Sequence, residues 1–367
     1  MKKRLLFILA FISVSLIVVT FVLYSTKVPP HAEISKARIK LAEAEKLKSS
    51  KYASKKFQNA SMCYESALSE WKKENDRFIL FRDYKKVGEN AEQAYKLAVE
   101  AIAETKDKIS GEKELLGSRI SILERKVRDF DNKYKNFPFK SKERNELVRS
   151  KLLLNEGISA YKQANYESSK TNLDSAETLI TTLNKIYKKR LEDYFSQYPQ
   201  WQKWVAQSIS NSKKHNAYCI IVDKYARECT LYKKGKILYK LEIELGENWI
   251  GNKNQQGDKS TPEGLYKIVR KKSNGTTRYY KAFLLDYPNE DDKKRFLLNK
   301  KDDIINKNAK IGNLIEIHGN GGKGIDWTDG CLALKDTDMD KLYTACPEGT
   351  SVTIVGSVKP LNKLFSN

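Results

Sequence analysis

Three hydrophobic patterns succeed one another along the chain. Behind the basic start Met1-Lys2-Lys3-Arg4, residues Leu5 to Leu23 carry no charge. Such a run matches the roughly 17–25 residues needed to cross a hydrocarbon core. From about Glu33 to Ser208, apolar positions return every three or four residues. Ile34, Ala37, Leu41 and Ala44 form one such series; Phe57, Ala60, Tyr64, Ala67 and Trp71 form a second; Leu116, Ile120, Leu123, Val127 and Phe130 form a third. That period predicts amphipathic helices. Pro138, in Asn136-Phe137-Pro138-Phe139, predicts a break between two of them. After Asn211-Ser212-Lys213-Lys214 the pattern becomes short and rich in strand formers. Ala217–Val222 and Thr230–Tyr232 lead into the turn Lys233-Lys234-Gly235-Lys236. Runs at Ile237–Leu245, Gly264–Val269, Leu314–His318 and Ser351–Val355 extend the strand reading. Lys335-Asp336-Thr337-Asp338 supplies capping chemistry for a short helix over Met339–Thr344.

The chain therefore reads as an α+β multidomain protein. Residues 1–30 form a membrane helix with a short linker, 31–210 an all-α region of helical hairpins, and 215–358 a mostly-β domain large enough to bury its own core. The helical region contains an echo: Tyr52, Phe57, Ala60, Tyr64 and Ala67 match Tyr161, Tyr166, Ser169, Leu173 and Ala176 in spacing. Gly157 to Ala176 also looks like a tetratricopeptide unit. Two degenerate copies do not make a solenoid, and generic antiparallel hairpins are the preferred reading. Nothing in this region calls for catalysis, so a spacer or a surface that docks an unknown protein is expected.

The basic flank favours a cytoplasmic N-terminus with export of the rest of the chain. A cleaved signal peptide is the competing reading, but no clear small-residue cleavage site comes after Leu23 and no cysteine offers a lipid attachment point. The net charge is +22, from 68 Lys+Arg against 46 Asp+Glu. That surplus suits an anionic environment. Nucleic acid fits poorly, since the basic residues are spread thinly with no reader motif; an anionic cell-wall polymer fits better. Five cysteines in an exported chain leave at least one unpaired. Cys219 and Cys229 lie where they could pair across a hairpin. No CxxC is present, so neither a zinc ribbon nor a redox dithiol is supported, and no metal or cofactor is expected.

The chemistry concentrates in one place. Ile317-His318-Gly319 is followed thirteen residues after the histidine by Cys331, within Asp326-Trp327-Thr328-Asp329-Gly330-Cys331-Leu332-Ala333-Leu334. A thiol beside an imidazole is the minimum for a nucleophile with its base. His318 ends an expected strand and Cys331 begins another, so the two can meet. Backbone N–H groups around Asp329, Gly330 and Cys331 would face a developing oxyanion. Gly319-Asn320-Gly321-Gly322-Lys323-Gly324 also satisfies GxGxxG. However, no helix begins within it and no βαβ alternation surrounds it, so a dinucleotide site is not expected; a mobile flap is the better use of these glycines.

Over about residues 217–356 the sequence resembles the YkuD-type L,D-transpeptidase catalytic domain. The matching pieces are Val222-Asp223-Lys224, Leu245-Gly246, Gly257-Asp258, Thr261-Pro262-Glu263-Gly264-Leu265-Tyr266, Tyr287-Pro288-Asn289, Ile317-His318-Gly319, the Asp-Trp-Thr-Asp-Gly-Cys run ending at Cys331, and Pro347-Glu348-Gly349-Thr350. The resemblance implies a β-rich sandwich-like fold, with Cys331 as nucleophile and His318 as base. Two departures stand out. Asp329 replaces the histidine, and Ala333 the arginine, that many members carry around the nucleophile. Lys335 is the candidate to replace that arginine, and Gly319, Trp327, Thr328, Tyr266 and Trp249 are candidates to shape the cleft.

Together, the uncharged run behind a basic start and the resemblance imply a membrane-anchored, periplasm-facing enzyme. Its thiol would take the acyl group of a peptidoglycan stem peptide as a thioester and pass it to an amine, making a 3–3 crosslink or attaching a protein such as a lipoprotein to the wall. Transfer to water, giving a carboxypeptidase or amidase, is the first alternative. A helical scaffold protein with an inert or secondary catalytic domain is the second.

Overall fold

The computed structural model describes residues 2–25 and 28–364. The chain divides into two compact units, Met1–Ile122 with Gly157–Thr171, and Leu123–Glu156 with Asn172–Asn367. The first unit is helical. It contains α1 (Lys2–Ser25), α2 (His31–Lys46), α3 (Ser49–Tyr52), α4 (Ser54–Asp76) and most of α5 (Lys85–Tyr134), with the end of α6 (Ser141–Lys162) and the start of α7 (Tyr166–Phe195). Its core rests on small side chains: Ala37, Ala44, Ala60, Ala67, Ala91 and Ala94 are fully buried. Small residues at the contact shorten the distance between helix axes. Ile34, Tyr84 and Val87 fill the space beside Ala67 and Ala91, with Tyr64 and Trp71 packed on them. The echo in the sequence marks two helical corners. Tyr52 ends α3 and Phe57 to Ala67 lie on α4, while Tyr161 lies on α6 and Tyr166 to Ala176 on α7.

Helix α1 covers the uncharged run, and its described apolar side chains from Leu6 to Phe21 are exposed. The side chains of Leu5, Val22 and Leu23 lie outside the described residues. Among the described residues, no helix is long and apolar enough to cross a membrane.

The second unit begins with the end of α5. The chain leaves it at Tyr134, turns through Pro138 and re-enters a helix at Ser141, where the proline predicted a break. Leu123, Val127, Phe130, Leu173, Leu183 and Leu191 make the helical core here. Helix α8 (Tyr198–Lys214) leads into the β-rich part. Its strands are β1 (Tyr218–Asp223), β2 (Glu228–Lys233), β3 (Lys236–Glu242), β4 (Gly264–Ser273), β5 (Lys281–Leu285), β6 (Glu316–His318), β7 (Leu332–Ala333) and β8 (Ser351–Val355). They run in the order β3-β2-β1-β8-β4-β5-β6-β7.

Strand β4 joins two halves of this array. Its first residues, Gly264 to Lys267, pair with β8, and Ile268 to Ser273 pair with β5, with a register shift between Ile268 and Arg270. A bulge of this kind bends a strand and lets it serve two sheets. Helix α8 packs on β1 and β8, and α10 (Asp336–Ala345) packs on β5. A helical region followed by a mostly-β domain is thus as the sequence predicted. Helix α9 (Glu290–Lys301) and β5 were not anticipated, while β7 is the strand expected to begin at Cys331. α9 is started by a capping box in which Asn289 and Asp292 exchange side-chain to backbone hydrogen bonds, and the short α11 (Leu361–Leu364) comes after β8.

Cys219 and Cys229, which could have paired across the hairpin, do not, and all five cysteines are free. The register explains it. Cys219 stands opposite Tyr232, and Cys229 opposite Val222. Val222 is three residues from Cys219, so strand alternation puts the two thiols on opposite faces of the hairpin.

A buried polar joint fastens helices to strands within this unit. The Lys224 ammonium is wholly buried and donates to Glu263 at 2.8 Å, the Thr261 carbonyl at 2.9 Å and the Gly251 carbonyl at 2.7 Å. Glu263 accepts in turn from Tyr194 of α7 at 2.6 Å and Trp201 of α8 at 3.1 Å. Burial pushes the Lys224 ammonium below the ordinary lysine value and the Tyr194 phenol well above that of tyrosine.

Candidate active site

His318 closes β6 and Cys331 immediately precedes β7. The strands are parallel, with Ile317 opposite Leu332 and His318 opposite Ala333. Paired residues share a face, and alternate residues return to it. Cys331, two before Ala333, therefore faces the same side as His318.

His318 is fully buried. Its Nδ1 lies 2.6 Å from the Gly319 carbonyl oxygen. A carbonyl only accepts, so Nδ1 carries the proton and Nε2 is left as an acceptor. Among the described residues Nε2 has no hydrogen-bond partner. Burial pushes the imidazole below the ordinary histidine value; Gly319 and Glu316 oppose this, while Arg278 and Lys323 add to it. The ring is stacked on Tyr279, with centroids 3.5 Å apart and planes 4° from parallel, and Trp327 meets it edge-on at 6.1 Å.

Cys331 is half-buried, and its thiol donates to the Leu314 carbonyl at 3.5 Å. Leu314 offers that carbonyl from left-handed backbone, φ +57°, a conformation that costs an ordinary residue about 1–2 kcal/mol. Burial raises the thiol above its ordinary value, opposed by a backbone hydrogen bond from Glu316 and by the charges of Arg278 and Lys253. Both shifts favour the neutral forms, the thiol and the uncharged imidazole.

The turn before the thiol is tightly made. Gly330 has φ +129°, and a Cβ there would stand 2.6 Å from the Ser260 carbonyl, so only glycine fits. Thr328 Oγ1 accepts from the Gly330 N–H at 3.2 Å and donates to the Cys331 carbonyl at 2.6 Å. Thr328 is therefore a clamp on the turn, and the expected oxyanion donor at Gly330 is already engaged. Asp329 is exposed; its carbonyl lies 3.4 Å from Lys253 Nζ, which is nearly buried and paired with Asp258 at 2.7 Å. The Gly319 N–H donates to the Lys281 carbonyl, fixing the residue whose carbonyl oxygen holds the imidazole.

Three expected cleft residues lie elsewhere. Trp249 is buried among Phe137, Tyr194 and Tyr225, donates to the Asn136 carbonyl at 2.6 Å and is covered by Arg227. Tyr266 is also buried, donating to Asp292 at 3.0 Å. Their large apolar surfaces belong to the core. Lys335 is exposed and paired with Glu242 at 3.0 Å. It lines a cavity of about 420 Å³ with Glu244, Asp326 and Arg227, whose lining includes neither His318 nor Cys331. Trp327 does stand beside the imidazole; its indole N–H donates to Glu244 at 2.7 Å.

The glycine-rich segment is strapped down rather than free as a flap. Glu244 accepts from the Gly324 N–H at 2.6 Å, Asp326 pairs with Arg227 at 2.7 Å, and the Gly321 N–H donates to the Leu334 carbonyl at 2.8 Å. Sequence reasoning missed Glu244, Lys253, Arg278 and Tyr279. Only the last two carried a signal, an aromatic pair behind an arginine in Arg278-Tyr279-Tyr280, and it was unreadable without β5.

Residues 217–354 match the family model described as the L,D-transpeptidase catalytic domain, YkuD. A search of the curated proteins finds no match. Among solved structures the chain is similar to Bd1075 of Bdellovibrio bacteriovorus, at 22% identity over 39% of this chain and 49% of that one, TM-score 0.31. It is also similar to an L,D-transpeptidase from Mycobacterium smegmatis, at 12% identity over 37% and 58%, TM-score 0.25. A third is an L,D-transpeptidase from Stackebrandtia nassauensis, at 17% identity over 42% and 65%, TM-score 0.26. In each case the match spans less than two thirds of the other chain's length. Residues 217–354, carrying His318 and Cys331, belong to the YkuD family of L,D-transpeptidase catalytic domains.

Proposed function

We propose that this protein is a cysteine-dependent L,D-transpeptidase acting on peptidoglycan stem peptides. The observation that carries the reading is the buried His318, whose Nε2 has no partner among the described residues, on the same face as the Cys331 thiol. An orphaned buried acceptor costs stability, and a proton arriving from a thiol repays it. In acylation, Nε2 takes the Cys331 proton as sulfur attacks the carbonyl carbon of the third stem residue. The tetrahedral intermediate collapses, the proton passes to the departing amine, and D-alanine leaves behind a thioester. An amine of a second stem or of a wall-bound protein then attacks. Nε2 accepts its proton and returns it to sulfur, regenerating the thiol. With the Gly330 N–H held by Thr328, the Cys331 N–H is assigned as the backbone oxyanion donor.

The uncharged run in α1 is proposed to anchor the chain, with residues 217–354 facing the wall. Its support is the length and apolar composition of Leu5 to Leu23 behind a basic start. Protease protection that places Cys331 in the cytoplasm overturns this topology.

The test of the reaction is incubation of the full chain with disaccharide tetrapeptide and product analysis by mass. Crosslinked dimer is expected; tripeptide alone makes the enzyme a hydrolase. Cys331→Ala with undiminished turnover overturns the assignment.

A further inference from the structure

We propose that Arg278 receives the free carboxylate at the end of the donor peptide; the inference rests on the transpeptidase reading and names the recognition element of that site. Arg278 sits in the turn between β4 and β5 and is exposed. Its guanidinium donates to the Tyr279 hydroxyl at 2.7 Å and lies 4.9 Å from the Tyr279 ring centroid. That ring is stacked on the His318 imidazole. Tyr279 thus touches both groups, holding the guanidinium through its hydroxyl and the imidazole against its ring.

Among the described residues no carboxylate pairs with Arg278. Other cations around the strands are committed: Lys335, Lys272 and Lys281 are paired with Glu242, Glu316 and Asp340. Lys323 lies 3.2 Å over the Trp327 ring, on the indole that meets the imidazole edge-on. An uncompensated cation beside a base that must accept a proton opposes that step, unless a ligand brings the matching anion. The donor brings one: the leaving residue carries its carboxylate one carbon from the scissile nitrogen. A guanidinium binds a carboxylate through two parallel N–H donors, a geometry an ammonium cannot reproduce. Neutralising Arg278 in the complex also removes its opposition to a protonated His318, so recognition of the correct peptide end and activation of the base are one event. The consequence is selectivity for a peptide ending in a free acid over the same peptide ending in an amide.

The experiment measures binding of tetrapeptide and of its C-terminal amide to the full chain carrying Cys331→Ala, which removes turnover from the readout. With Arg278 present the acid is expected to bind about tenfold more tightly than the amide, the scale of one charge-assisted contact. Arg278→Gln should abolish the difference by weakening the acid alone, and Arg278→Lys should restore part of it. Equal affinity for acid and amide with Arg278 present overturns the proposal, as does loss of the preference in Lys323→Gln but not in Arg278→Gln, and as does failure of either peptide to bind. Selective binding by a chain whose unmodified thiol nonetheless leaves the peptide intact sustains the carboxylate site and refutes the transpeptidase reading.

Discussion

Burial pushes the two reacting groups in opposite directions, the thiol of Cys331 up and the imidazole of His318 down. The proposed acylation therefore starts from a neutral pair and needs proton transfer in its transition state. Histidine remains a competent base until pH falls through its lowered value, so the acid limb of kcat/KM should lie below the ordinary histidine value of 6.5. Alkylation of Cys331 by iodoacetamide should track a thiol weaker than usual; an inflection well below neutrality would reveal a thiolate–imidazolium pair instead. Tyr279 holds the imidazole by stacking. Tyr279→Leu should lower kcat about tenfold, and Tyr279→Phe should restore most of that loss in kcat, since the ring and not the hydroxyl carries the stack. The candidate pair Cys331 and His318 was legible in the sequence because few residue types can do the chemistry of a nucleophile and base. Tyr279 was not, because its role is set by the pairing of β5 with β6, which puts Ala282 opposite His318.

At the scale of elements, turns and joints decide whether the site exists. Gly330→Ala would drive a methyl into the Ser260 carbonyl in a backbone conformation that side chains avoid. Strain of about 1–3 kcal/mol is expected, read as a lower unfolding midpoint together with loss of Cys331 acylation. Gly246 backs onto this turn, with Gly330 Cα 3.1 Å from where a Cβ would stand, so Leu245-Gly246 is a packing contact as well as a motif. The buried joint makes a second prediction. Lys224→Met leaves Glu263 buried without its counter-charge, which should cost about 3–5 kcal/mol in urea unfolding. Paired replacement of Lys224 and Glu263 by apolar residues should cost less than the sum of the singles. The long strand runs were readable because alternation and β-branched residues mark them. Helix α9 is mostly charged with little apolar periodicity, so it leaves no pattern to read, and β7, expected from the glycine before Cys331, is only two residues long.

At the scale of the whole molecule, residues 217–354 do not finish their own packing. Trp201 of α8 is 1% exposed and lies against Gly356, while Trp249 reaches out to Asn136 and Phe137. A fragment starting at Ala217 loses these partners. By the scale of a buried tryptophan removed, about 3–5 kcal/mol, it should melt roughly 10 °C below the corresponding transition of the full chain. Equal melting temperatures by calorimetry would show that the β-rich part stands alone. The change of hydrophobic period near Lys213 was visible in sequence, while the compact units obey contacts and divide the helices after Ile122, Glu156 and Thr171. Side-chain periodicity reports which face of a helix is buried, not which neighbour buries it.

Strand β4 ties two places in the second unit together. It begins directly after Glu263, the residue gripped by α7 and α8, and ends at Ser273, where the turn bearing Arg278 and Tyr279 opens. Ten residues of strand span about 33 Å, hydrogen-bonded to β8 along one half and to β5 along the other. The residue gripped by the helices and the turn that carries Tyr279 are thus the two ends of one strand, bent at the register shift between Ile268 and Arg270, so a substitution at the buried joint is worth reading at the imidazole as well as in stability.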